Sequence, residues 1–395
     1  MAGPAGKPQP KMWGRGLALA LAALVAGCQT VVPRGPAAPS DHRPPSTRPT
    51  QPARIEPGIP QDVARNRVAL LVPLTGPNAG IGQSLANATQ LALLDSNSDR
   101  IRITNYDTHQ GAALAAQHAL ADGNGLILGP LLAEDARAVA PVAKRAGVPV
   151  ISFSNDVSVA GNGVYVLGYS PAQSIARVVD YAKSRGVSSY GGLFSAGLYG
   201  ERASTSFLRA VEGAGGQVLS LQTYEHAPGA ATAAVTRMAK TAPYDAVLVA
   251  DSAGMGAAVV PLLRKASPTT HILGTEQWNS ESSFAAKPAL SGAWFASVSD
   301  GLYRQFVGKY RARFSGAPYR LSSLGYDAVL LSVRIAQDWR PGTPFPTERL
   351  SDRGGFVGID GAFRFGKDGI AERALEVQEV HGAGVVVVSP APTGF

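Results

Sequence analysis

Residues 68–74, VALLVPL, form an unbroken apolar run of strand length, followed by the turn Thr75, Gly76, Pro77 and a helical stretch over about 80–94. A strand that is apolar on every residue has no face for solvent, so both of its sides must be covered. The same unit then repeats. Residues 101–106 read as strand, 112–122 as Ala-rich helix, 125–129 as buried strand, 133–146 as helix and 148–153 as strand. It resumes at Tyr190, with strands at 190–194, 217–224, 245–250 and 271–274 alternating with helices at 200–213, 230–239 and 256–265. Strands separated by helices predict parallel sheets of the α/β class. Two such units predict two doubly wound Rossmann-like lobes with a cleft between them, because open sheets take ligands beyond the carboxyl ends of their strands. Helices at about 302–314 and 322–339 are expected to return to the first lobe, and the strands of 361–388 to the second. Lobe 1 is thus expected at about 66–176 and 299–355, and lobe 2 at about 177–298 and 356–395.

The stretch before Asn66 has another character. Lys7, Lys11 and Arg15 precede the apolar run 17–26, which ends at Gly27 and Cys28. This is the layout of a bacterial secretory signal peptide over residues 1–27. Ten apolar residues make about 15 Å of helix, half of a hydrocarbon core, so the run is too short for a spanning anchor. Residues 25–28, Val-Ala-Gly-Cys, are similar to a lipobox, and Cys28 is the sole cysteine, which excludes an intramolecular disulfide and any Cys-based zinc cluster. Residues 28–65 are Pro-rich with no hydrophobic period; such a tether favours extended polyproline geometry and spans up to roughly 90 Å. The formal net charge is +8. Basic residues up to Gly27 supply +3, and Arg34, Arg43, Arg48, Arg54, Arg65 and Arg67 against Asp41, Glu56 and Asp62 supply another +3, leaving +2 for the rest. The folded part is therefore nearly neutral, which speaks against a nucleic-acid surface.

No chemistry of catalysis is visible. The six histidines are scattered without HExxH spacing, Ser252 in ADSAG lacks the first Gly of a nucleophile elbow, and the glycines after the first strand lack both the phosphate-loop and the dinucleotide spacing. An enzyme, a cofactor and a resident metal are not expected.

The segments VALLVPLTGPNAGIGQSLANATQLAL, LILGPLLAEDARAVAPVAKRAGVPVISFSND, FSAGLYGERASTSFLRAVEGAGGQV, YDAVLVADSAGMGAAVVPLLRK and GAFRFGKDGIAER resemble the type I periplasmic-binding-protein fold of leucine-binding-protein-like receptors, from Val68 to the C-terminus. With a lipidated Cys28 and a Pro-rich tether, the chain looks most like penicillin-binding protein activators. That resemblance implies a non-enzymatic periplasmic lipoprotein that regulates peptidoglycan synthesis by contact with a peptidoglycan synthase. Gln29 after Cys28 favours the outer membrane. The helical-repeat domain that precedes the fold in such activators is missing. The alternative is the amino-acid-binding component of an ABC importer, partnered by its permease.

Carried over residue by residue, the receptor pattern is half present. Such receptors place small hydroxyl residues after a Gly-Pro turn at a helix start; here Gly129 and Pro130 are followed by Leu131, Leu132 and Ala133. The next loop keeps Ser152, Ser154, Asn155 and Asp156. Tyr199 matches an aromatic that walls the ligand, and Glu276 an acid that pairs with an ammonium. Asp251 and Ser252 stand at a strand's carboxyl end. The expected cleft set is Ser152, Ser154, Asn155, Tyr199, Asp251 and Glu276. Each also has a purely structural reading, Tyr199 as hinge packing, Glu276 as a helix cap, and Asp251 or Ser252 as an N-cap.

Overall fold

The structure is a computed structural model that describes residues 64–280, 287–382 and 384–393. The expected signal segment 1–27, the lipidated Cys28 and all but the last two residues of the tether lie outside these.

In the first lobe, β1 (Asn66–Val72), α1 (Ala79–Ser96), β2 (Ile101–Asp107), α2 (Ala112–Ala121), β3 (Leu126–Leu128), α3 (Ala133–Ala146), β4 (Val150–Ser152) and β5 (Val164–Val166) follow in order. Their strands form a parallel sheet of order β2-β1-β3-β4-β5. The apolar run has the role its composition demands: Val68, Leu70 and Val72 face one core, while Ala69 and Leu71 face the other with α2 and α3. The chain then enters the second lobe through α4 (Pro171–Ser184), β6 (Ser189–Ser195), α5 (Leu198–Gly213), β7 (Gln217–Tyr224), α6 (Ala230–Met238), β8 (Ala246–Ala250), α7 (Ala253–Ala266), β9 (His271–Gly274) and β10 (Trp294–Ser297). Alternation again assigns the faces: Val247 and Val249 of β8 join Val235, Met238, Val259 and Val260 of α6 and α7, while Ala246, Leu248 and Ala250 join Ile175, Val179 and Phe207 of α4 and α5.

The return stroke places α8 (Gly301–Phe314) and α9 (Ser322–Ile335) on the first lobe, where Phe306, Tyr310, Leu324 and Val329 pack with Leu85 and Leu91 of α1. An antiparallel sheet follows, β11 (Phe356–Gly358), β12 (Gly361–Phe365) and β13 (Ala371–Arg373). Finally β14 (Glu376–His381) and β15 (Gly384–Ser389) complete the large sheet, β15-β14-β10-β9-β8-β6-β7, with β14 antiparallel to β10.

Two expected boundaries are corrected. Residues 356–373 were assigned to the second lobe, yet Phe356, Phe363, Phe365 and Ala371 lie in the first-lobe core, because their aromatic rings fill the space under α9; only β14 and β15 join the second lobe. The first boundary also moves from 176 to just before Pro171, because Ile175, Val178 and Val179 of α4 pack against β6 and β8 of the second lobe. The chain crosses between lobes at 167–170, 298–300 and 374–375, and these three segments form the hinge.

Candidate functional site

The hinge encloses a cavity. Tyr169, Ser170, Gln173 and Ser174 come from the first crossing and α4, Ser297 and Val298 from the second, and Arg373 and Leu375 from the third; Arg320 enters from the loop before α9, and Glu276 and Asn279 from the turn after β9. Its free interior is about 20 Å³, room for about one water, so a solute enters only when the lobes part.

Glu276 is placed by the end of β9. The Tyr199 hydroxyl, from the first turn of α5, lies 2.9 Å from Thr275 Oγ1 and donates to Glu276 Oε1 at 3.0 Å. Oε2 is buried without a hydrogen-bond partner among the described residues. Burial pushes the Glu276 carboxyl up to about 7, against the opposing influence of its own backbone N–H and of the Tyr199 and Ser174 hydroxyls, and burial together with Glu276 holds Tyr199 well above the ordinary phenol range. The site therefore offers one acceptor oxygen in a setting where it is readily protonated.

Opposite stand two buried guanidinium groups. Arg320 Nη1 donates to Asp360 Oδ1 at 2.7 Å and to Ser323 Oγ at 2.9 Å, and Tyr169 donates to Asp360 Oδ2 at 2.5 Å. Arg373 Nη2 donates to Leu167 O at 2.7 Å. Nε and Nη2 of Arg320, and Nε and Nη1 of Arg373, have no hydrogen-bond partner. Asp360 and Asp327 are neighbours with opposite fates. Burial alone raises an acid, but Arg320 and Arg373 hold Asp360 below the usual carboxylate range; Asp327, which accepts the Ile359 N–H at 2.7 Å, is raised by burial and by the Asp360 charge.

The remaining expected cleft residues do not line this cavity. Ser152 Oγ donates to Pro130 O at 3.0 Å and accepts the Ser154 N–H, and Ser154 Oγ accepts the Asp156 N–H at 3.0 Å. Both oxygens are thus engaged with nearby backbone, while Asn155 is exposed. Asp251 Oδ2 accepts from Tyr224 at 2.5 Å and lies 2.9 Å from His226 Nε2, and its Oδ1 accepts the Ser252 N–H. Ser252 caps α7 by accepting from Met255 N at 3.2 Å. Asp251 thus anchors strand ends of the second lobe through Tyr224 and His226. The turn after Gly129 and Pro130 starts α3 with no side-chain cap and with Glu134 and Asp135 in its first turn, charges that repel an anion from that helix end.

Asp156 has a different use. Its carboxylate accepts from Arg137 of α3 and, across the cleft, from Arg202 of α5, while Arg202 Nη2 also reaches Ser158 Oγ at 3.0 Å. Burial opposes ionisation there, but the Ser158 and Arg202 hydrogen bonds bring Asp156 down to about 2. This ion pair joins the lobes at the cleft mouth. Neither it nor Arg320 and Arg373 were foreseen; an arginine carries no local pattern that distinguishes a buried partner from a solvated one.

Among the described residues, no group of three or more His, Cys, Asp or Glu side chains is arranged to hold a metal ion, and no helix is long and apolar enough to cross a membrane. A family profile described as periplasmic binding protein matches residues 66–384. The leucine-binding protein of Thermotoga maritima shares the fold at a TM-score of 0.65 and 20% identity, covering 83% of this chain and 99% of that one. A solute-binding protein of an ABC transporter from R. palustris, solved with benzoate, does so at 0.62 and 17%, covering 83% and 97%. An uncharacterised protein of Rickettsia prowazekii is 28% identical over 116 residues, 29% of this chain and 31% of its own length, so the chain matches about a third of that relative. At these identities the structural likeness establishes the fold alone. The match over residues 66–384, on two α/β lobes hinged around a cavity, shows that the chain belongs to the periplasmic binding protein family.

Proposed function

We propose that this chain is the non-enzymatic solute-binding component of an ABC importer, working in the periplasm and taking a small polar organic solute of the amino-acid or carboxylic-acid type. The observation that carries the reading is Glu276: one oxygen is fixed by Tyr199 and the other stands buried and unpartnered in the interlobe cavity. A desolvated acceptor without a donor is costly, and a solute amine or hydroxyl would complete it. Glu276 is the proposed solute contact and Tyr199, whose hydroxyl donates to it, is the residue that positions it; Ser152, Ser154 and Asp251 are not carried forward, because they lie outside the cavity lining. Structural relatives that are solute-binding proteins, for leucine in one and with benzoate in another, support the same reading. Control of a peptidoglycan synthase from an outer-membrane lipid anchor at Cys28 draws no support from the cavity, and the anchor lies outside the described residues.

The test is thermal unfolding in the presence of L-leucine, L-isoleucine, glycine, lactate and benzoate. A solute present at a hundredfold excess over its Kd adds about 2.7 kcal/mol of stability, several degrees in Tm. At least one compound is expected to raise Tm in the native chain and to do so far less in Glu276→Ala. A panel that leaves Tm unchanged at millimolar concentration would overturn the receptor reading.

A further inference from the structure

The two arginines at the hinge ask for a ligand of their own. Arg320 is 7% exposed and Arg373 is 9% exposed, and an arginine stays charged in any such setting. Arg373 spends one N–H on Leu167 O and packs beside the rings of Tyr169 and Phe363, at 5.0 and 5.3 Å from their centres. Among the described residues no carboxylate lies within ion-pair distance of it, and its Nε and Nη1 have no acceptor. Arg320 is paired with Asp360 through Nη1, while Asp300 Oδ1, at 3.7 Å from Nη2, is too far to accept a hydrogen bond. Four buried donor atoms on these two side chains are therefore unpartnered, against a single unpartnered acceptor, Glu276 Oε2, among the residues that line the same cavity. Leaving buried charged donors unmade costs more than leaving neutral ones, and a guanidinium fork matches the two oxygens of a carboxylate.

We propose that the cavity holds the carboxylate of its solute at the hinge, against Arg373 and Arg320, so that the protein selects small organic acids whether or not they carry an amine. Charge supports a monoanion: Asp360 offsets one of the two arginines, and Asp300 partly offsets Arg320 from 3.7 Å, which leaves Arg373 as the main attraction. The start of α3, after the Gly129 and Pro130 turn, carries Glu134 and Asp135, charges that disfavour an anion there. Arg373 stands on β13, next to the third crossing, and Arg320 before α9, both from the first-lobe side, whereas Glu276 comes from the second. A solute that bridges them contacts both lobes, which is the condition for a ligand to favour closure.

This inference rests on the receptor reading and sharpens it to a substrate class. It is tested by calorimetric titration of the full chain with L-leucine, 4-methylpentanoate (the same skeleton without the amine), leucinamide (the same skeleton without the anion), benzoate and benzamide. The acids are expected to bind, with each amide weaker than its acid by about 30-fold, the scale of one charge-assisted hydrogen bond. Arg373→Gln is expected to remove that acid–amide difference, and Arg373→Lys to restore part of it. An amide that binds as tightly as its acid, or acid binding within about threefold of native in a folded Arg373→Gln, overturns the hinge assignment while leaving the receptor reading intact. Silence of every compound on the native chain overturns both. The acid–amide comparison on the native chain needs no variant, so a misfolded Arg373→Gln does not shelter the proposal.

Discussion

Glu276 shows how far one residue's position decides its chemistry. Its carboxyl is raised to about 7 from an ordinary 4.5, so the folded state favours the protonated form. The sign follows directly: the stability that this group allows is full below about pH 4.5, declines as pH rises toward about 7 and is constant beyond, a change of about 3 kcal/mol. The groups that face it are Tyr199 of α5, Ser174 of α4 and the arginines across the cavity. Glu276→Gln should remove this component. Urea unfolding at pH 5 and pH 8 is expected to show a smaller loss of stability in the variant than in the native chain, the difference isolating Glu276 from Asp327, which is raised as well; equal losses would refute the assignment. Tyr199, directly before Gly200, and Glu276, two residues after Gly274, stood out only through the resemblance to the receptor pattern. For Asp251 the strand-end position was legible, but not that Tyr224 and His226 would occupy the carboxylate. Arg320 and Arg373 were not legible at all: a loop residue and a strand residue far apart in the chain become one site only through the packing of α9 and β13 on the first lobe.

At the scale of elements, the continuous apolar strands were readable because two-sided burial demands them, and the helices between them because their apolar residues recur at helical spacing. The failures have physical causes. β5 has three residues and β10 four, too short for any period to emerge. α4 does carry the signal, Ser170 before Pro171 and then Ile175, Val178, Val179 and Ala182, but it lies between the two repeated strand–helix units and outside the elements expected from the sequence. What holds helices onto strands is visible only in the structure. In both lobes the helix that follows the first strand begins against that strand's end through a glycine: a Cβ on Gly82 of α1 would stand 1.8 Å from Pro73 O, and one on Gly200 of α5 would stand 1.6 Å from Ser195 O. Backbone cannot yield there as a side-chain tip can, so Gly200→Ala must push the start of α5 outward. It is expected to cost about 1–3 kcal/mol in chemical denaturation. The displaced Tyr199 would also release Glu276, so solute affinity should fall more than stability alone explains. A Gly200→Ala protein of native stability would show that α5 is less tightly seated than described.

The fold is two lobes on three crossings, and among the described residues the one ion pair between the lobes is that of Asp156 of the first with Arg202 of the second. The sequence placed two lobes and their order, but it could not assign β11 to β13, because a short antiparallel sheet pairs within itself and its lobe is chosen by where Phe356, Phe363 and Phe365 find apolar cover. The Asp156–Arg202 pair contributes little to folding, since Arg202 is about a quarter exposed and Asp156 keeps Arg137 when Arg202 is lost. Its leverage is on the hinge. Two bodies on flexible crossings differ by few contacts between open and closed forms, and a single charge pair worth about 1 kcal/mol can shift that balance several-fold. Arg202→Ala is therefore expected to unfold within about 1 kcal/mol of the native chain while its radius of gyration in small-angle scattering rises toward that of an open form. High salt should move the native chain in the same direction and the variant much less, because the screened charge pair is already absent from it. Solute association should be faster in the variant, as the cavity is reached only through the opened mouth. An unchanged radius together with an unchanged association rate would mean that the lobes are held closed by the hinge itself and that the Asp156–Arg202 pair merely follows.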